Sequence, residues 1–139
     1  MASAYANRRA KVEADDPTVA ITTAPTNPPA IGTVLVRAGD IMDVGIDWSL
    51  WCKANDAAIK AAGSTWAAHG SSPAAPTIAS SGIDADRKHT VAVIDASAAA
   101  VGAVYWLVNT VVMEDASPEG AYDFPDRTIK RTLYVVVTA

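Results

Sequence analysis

Beyond residue 30 the chain is a succession of short runs in which β-branched and aromatic residues alternate with polar ones. Clusters of Gly, Pro, Asp and Ser separate the runs. A period of two puts successive side chains on opposite faces of a strand, and such punctuation marks the turns between strands. The pattern predicts strands over 31–36, 42–51, 64–68, 77–81, 89–94, 102–113 and 127–137. In the second of these, Met42, Val44, Ile46, Trp48 and Leu50 share one face, and Asp43, Gly45, Asp47, Ser49 and Trp51 the other. Trp51 breaks the polar face, so the strand is expected to bend or end there. In 102–113, Val104, Trp106, Val108, Thr110 and Val112 alternate with Tyr105, Leu107, Asn109, Val111 and Met113. Both sets are largely apolar, which predicts a central strand covered on both sides in an assembled state. The Ala-rich stretch 55–62 reads as a helical turn, and 95–101 as a loop or a short turn capped by Asp95. About seven strands in this span predict an all-β, immunoglobulin-like sandwich over 31–139.

Residues 1–30 differ. They hold Pro17, Pro25, Pro28 and Pro29, little bulky apolar content and a short β-like patch at 18–22. Proline fixes extended geometry and removes amide donors. The segment reads as an extended N-terminal arm, ordered against a partner, with the 18–22 patch able to add a strand to a neighbour's sheet edge.

Composition supports the strand reading. There are 15 Val, 9 Ile and 12 Thr against 4 Leu, and β-branched residues favour the pleated surface of a sheet. Net charge is −4, which argues against a nucleic-acid surface. Charge is also uneven: Arg8, Arg9 and Lys11 make residues 1–11 sum to +3, leaving −7 for the rest. A basic arm on an acidic body suits docking on an acidic neighbour or another copy of the chain. Cys52 is the only cysteine, so packing rather than a disulfide must hold the domain. The opening residues lack the apolar stretch of a signal peptide, and no run is long enough to span a membrane. The expectation is a protein made in a cytoplasm, with no membrane partner.

No catalytic constellation stands out. His69 and His89 are far apart, and Cys52 alone cannot complete a zinc site with them. Asp84-x-Asp86 matches the opening of a calcium loop but lacks the following Gly and the distal Glu. G-x-S-x-G, P-loop and dinucleotide motifs are absent. No cofactor or metal is expected, and the chain does not read as an enzyme.

The four tryptophans carry more. Trp48 and Trp106 share faces with aliphatics and are expected in the core, with Trp66 as a further structural anchor. Trp51, on the polar face, is the candidate interface anchor. The acidic stretch 114–126 carries Tyr122 and Phe124 among five carboxylates. Rings beside acids suit an interface that anchors by packing and steers by charge.

The order I-D-W-S-x-W (Ile46, Asp47, Trp48, Ser49, Trp51), then Ser64 with Trp66, then G-x-x-Y-x-x-x-N (Gly102, Tyr105, Asn109), precedes an alternating last strand. In these motifs, led by Asp40, the chain resembles the small immunoglobulin-like virion proteins of tailed bacteriophages, the fibre–tail adaptor or head–tail-associated proteins. The likeness spans roughly 36–137. The longer stretch 114–127 replaces the family's Gly-Arg turn, and the Pro-rich arm has no counterpart. The resemblance implies a non-enzymatic structural protein of the virion, present in multiple copies in a symmetric assembly with tail, fibre, portal or capsid subunits. Alternative readings on the same fold are a capsid decoration protein and a carbohydrate-binding module whose exposed Trp stacks on sugar rings.

Overall fold

The structure is a computed structural model, and it describes residues 9–11, 30–70, 76–102, 104–116 and 125–139. Eight strands and one helix follow in order: β1 Arg9–Lys11, β2 Gly32–Arg37, β3 Ile41–Asp47, α1 Ser49–Asn55, β4 Ala57–His69, β5 Thr77–Ile83, β6 His89–Asp95, β7 Val104–Asp115 and β8 Arg127–Thr138. They form two four-stranded sheets, β1-β3-β6-β5 and β2-β8-β7-β4. Setting β1 aside, β3-β6-β5 facing β2-β8-β7-β4 is the strand order of an immunoglobulin-like sandwich, the fold expected from the count of strands. The chain is an all-β sandwich.

Why these runs become strands is clearest in β7. Tyr105, Leu107, Asn109, Val111 and Met113 are buried, while the residues between them are not. Leu133, Val135 and Val137 of β8 and Val36 of β2 extend that inner face, which meets Val44, Ile46, Ala92 and Ile94 of the opposite sheet. The inward residues are mostly aliphatic or aromatic, and they interdigitate between sheets about 10 Å apart.

The strand predicted to reach Trp51 stops at Asp47. The Asp47 carboxylate accepts the Ser49 backbone N–H at 2.9 Å and the Ser49 hydroxyl, closing an Asx turn. Helix α1 starts there, and Asp56 ends it in the left-handed conformation at φ 46°. The helix therefore lies earlier than the Ala-rich stretch suggests. Residues 57–62 belong to β4, where Ala57, Ala58 and Ile59 are buried and paired with β7. Tertiary pairing overrides the helix propensity of alanine here. A bulge between Ile59 and Ser64 follows, and a Cβ on Gly63 would come within 2.8 Å of the Lys60 carbonyl oxygen. The 95–101 stretch is a turn without a helix. The Asp95 carboxylate accepts the Ser97 N–H at 2.9 Å, and the Ser97 bonds hold its carboxyl below the usual range.

Part of the segment expected to be a free arm pairs within the chain. Arg9, Ala10 and Lys11 lie in parallel beside Gly45, Ile46 and Asp47 of β3. An edge strand presents unpaired amides and carbonyls, and β1 caps part of that edge. Residues 1–8 and 12–29, with Arg8 and the 18–22 patch, lie outside the described residues.

Tyr105 sits at the start of β7, three residues after Gly102, whose φ of +82° turns the chain into the strand. Its ring is fully buried and its hydroxyl accepts the Ala100 N–H at 3.1 Å. This is the tyrosine corner of the fold. Tyr105→Phe keeps the ring and removes one hydrogen bond, so chemical denaturation is expected to show a loss of about 1 kcal/mol.

Candidate functional site

The structure rearranges the candidates drawn from the sequence. Trp51 is 5% exposed, not an open interface ring. Past Asp47 the backbone is helical, so strand parity no longer decides which way residue 51 faces. The Arg127 guanidinium stacks 5.8 Å over the Trp51 ring and bonds Asp115 at 2.8 Å. Trp106 is the converse case: it is only half-buried and lies on the outer face of β7. Alternation shows that two faces exist, but both are apolar, so it does not say which faces in. Asn109, satisfied by partners inside, and Tyr105 go inward.

Trp48 is fully buried, as expected. Its indole Nε1 donates to Thr90 Oγ1 at 3.1 Å and to Asn109 Oδ1 at 3.3 Å. Thr90 Oγ1 in turn donates to Asn109 Oδ1 at 2.6 Å. The Asn109 amide donates to Ser64 Oγ and to the Thr65 carbonyl, both at 3.0 Å. Stretches distant in sequence meet at this network. Trp66 is half-buried against the core, and its Nε1 is a buried donor without an acceptor among the described residues.

Tyr122 and Phe124 lie outside the described residues. The acids bordering that stretch are tied to cations of the same chain. Glu114 pairs with Arg87, Asp115 with Arg127 at 2.8 Å, and Asp126 with Lys60 at 2.7 Å. These three pairs tie β7 and β8 to their neighbours, which weakens the part of these carboxylates in charge steering. Arg9 and Lys11 lie in β1, beside β3.

Cys52 is buried, with its sulfur 4.0 Å from that of Met113. Burial pushes its thiol from an ordinary 9.0 up to about 11, against the smaller opposing pull of Lys88. It is therefore a neutral packing group at neutral pH.

The surface that stands out is the outer face of β2-β8-β7-β4. Cross-strand register lines up Leu35, Val136 and Val104 in one row, and Tyr134, Trp106 and His69 in the next. Thr132, Val108 and Ala67 make a third. Leu35 is 66% exposed and Val104 50%. The Trp106 and His69 rings stack at 6.0 Å. None of the three rows contains Asp, Glu, Lys or Arg. Charge returns in the rows on either side, with Arg37 opposite Thr138 and Lys130 opposite Thr110. An apolar centre with a polar rim is the anatomy of a protein-binding patch. The signal for it in the sequence is the two-faced β7, although aliphatic company alone puts Trp106 on the wrong side.

One further group escapes the sequence motifs. The turn between β5 and β6 gathers Asp84, Asp86 and His89, although His89 has no metal-type partner by the usual zinc spacings. The D-x-D-x-x-H spacing across a hairpin turn is the available signal. Partial burial, and then the neighbouring Asp86, hold the Asp84 carboxyl above the usual range.

Among the described residues, no helix is long and apolar enough to cross a membrane. Compared with known proteins, the chain matches no family model and no curated protein.

Proposed function

We propose that this chain is a non-enzymatic structural component of a bacteriophage virion, an adaptor that joins tail and fibre, or head and tail, parts. The observation that carries the reading is the outer face of β2-β8-β7-β4. Its central rows hold Leu35, Val104, Trp106, Val108, Tyr134 and Val136 and no charged residue. Burying such rows against a neighbouring subunit releases water at roughly 25 cal/mol per Å² of apolar surface. The motifs behind the phage resemblance lend a second support, since Trp48 of D-W-S-x-W and Asn109 of G-x-x-Y-x-x-x-N bond each other inside the core. They behave as one packing unit, as a shared fold family would require. The partners are other virion proteins, in several copies around a symmetry axis. The sugar-stacking alternative would rest on Trp106 of the outer face rather than on Trp51, which is buried.

The test is incorporation. A tagged chain is produced during phage growth, particles are purified, and the tag is quantified in them. The wild-type chain is expected in particles at a fixed copy number. Val108→Lys, on the outer face, should fold with nearly unchanged melting and fall at least tenfold in particles. A wild-type chain absent from purified particles would overturn the virion reading. Full incorporation of Val108→Lys would remove the outer face as the docking surface.

A further inference from the structure

We propose that the β5–β6 turn is a binding site for a divalent first-row transition cation of the zinc class, held by Asp84, Asp86 and His89. One ligand atom from each of these side chains lies within 4.8 Å of the others. A cation about 2.0–2.2 Å from each nitrogen or oxygen needs the three atoms within about 4.4 Å of one another, so the side chains, of which Asp86 is exposed, close slightly on the ion.

The backbone fixes this group. The Asp84 N–H donates to the His89 carbonyl at 3.0 Å, and the Arg87 N–H to the Asp84 carbonyl at 2.9 Å. Arg87 is left-handed at φ 59°, which reverses the chain and returns His89 beside the two acids. The Arg87 side chain is turned away from them: its Nε donates to the Ile59 carbonyl at 2.7 Å, and its guanidinium pairs with Glu114.

The second independent element comes from another strand. His89 Nε2 lies 3.2 Å from Asp47 Oδ1 on β3, while Nδ1 lies 2.8 Å from Asp86 Oδ2. A carboxylate on the far ring nitrogen is the usual support of a metal-bound histidine, because it fixes the tautomer and raises the basicity of the ligating nitrogen. In the tautomer whose Nε2–H donates to Asp47, the Nδ1 lone pair faces the acceptor-only carboxylate of Asp86. A cation between them turns that opposition into attraction. Solvent reaches the group directly, since Asp86 is exposed and Asp84 and His89 are only partly buried.

The donor set selects the ion. One imidazole with two carboxylates suits zinc and its neighbours, which accept mixed nitrogen and oxygen ligands. Calcium wants six to eight oxygens and no imidazole. Three protein ligands leave zinc's fourth position open to water or to a group from a docked subunit. The competing state is a protonated His89 bridging Asp47 and Asp86 with no metal at all.

The experiment is calorimetric titration of the full chain, stripped with chelator, against zinc chloride and separately against calcium chloride, with melting curves in parallel. One equivalent of zinc is expected to bind. The melting temperature should rise by roughly 5–10 °C at a hundredfold excess over Kd. Asp84→Asn and Asp86→Asn should each weaken zinc binding at least tenfold. Asp86 is exposed, so the metal-free melting of its variant serves as the folding control. His69→Ala should bind zinc normally. Absence of saturable zinc binding would overturn the site and leave the bridging imidazolium. So would zinc affinity unchanged in both Asn variants, loss of binding in His69→Ala, or calcium binding as tightly as zinc.

Discussion

Trp48→Ala is expected to destabilise the sandwich by roughly 3–5 kcal/mol, the range for truncating a large aromatic side chain in a core. Trp48 has no exposed surface. Its ring lies where β3 hands over to α1, and Arg131 from β8 sits 6.0 Å from the ring centroid. Removing the indole leaves a cavity between the sheets and takes a donor from Thr90 and Asn109. Equilibrium denaturation measures the loss. Trp48→Phe separates its two parts, since it refills most of the volume without restoring the donor. That variant should recover more than half of the stability. If Trp48→Ala instead melted within about 1 kcal/mol of wild type, Trp48 would not be a core side chain.

The second large effect belongs to Asn109, a buried polar residue in the middle of β7. Asn109→Leu has similar volume and removes both halves of the amide. Ser64 Oγ and the Thr65 carbonyl then lose their donor, and the Thr90 hydroxyl loses its acceptor. Unsatisfied buried groups cost about 1–3 kcal/mol each, so a loss on the order of 3 kcal/mol is expected. Because Asn109 and Trp48 share a hydrogen bond, their effects should not add. A double-mutant cycle between Trp48→Phe and Asn109→Leu should give a coupling of about 1 kcal/mol. Strict additivity in that cycle would mean that the indole–amide bond contributes nothing.

Much of this architecture is legible because period-two alternation survives packing. The seven predicted strands correspond to β2–β8, most of them with ends moved by a residue or two. The misplacements have separate origins. Alternation extrapolated past Asp47 puts Trp51 on a polar face, whereas the D-x-S turn of Asp47 and Ser49 has already ended the strand. The same D-x-S geometry at Asp95 and Ser97 closes β6, so the local signal is present twice. Alanine-rich 57–62 misleads in another way: its helix propensity is real but small, and the ladder with β7 outweighs it. The inward or outward choice for Trp106 is not in the strand itself. It depends on where the opposite sheet lies, a relation between distant segments. The carboxylate behind His89 is hidden for a similar reason, since Asp47 reaches it across 42 residues of chain.

The pairing of β2 with β8 has a mechanical consequence. These strands run parallel, from Gly32 beside Leu133 to Arg37 beside Thr138. A pull that draws Gly32 one way and Thr138 the other slides the two strands along each other. The ladder bonds lie across that direction and share the load together, instead of opening one at a time as in a peeled hairpin. Tension along the chain thus meets shear resistance over the whole six-residue ladder, which suits a part that links two bodies under strain.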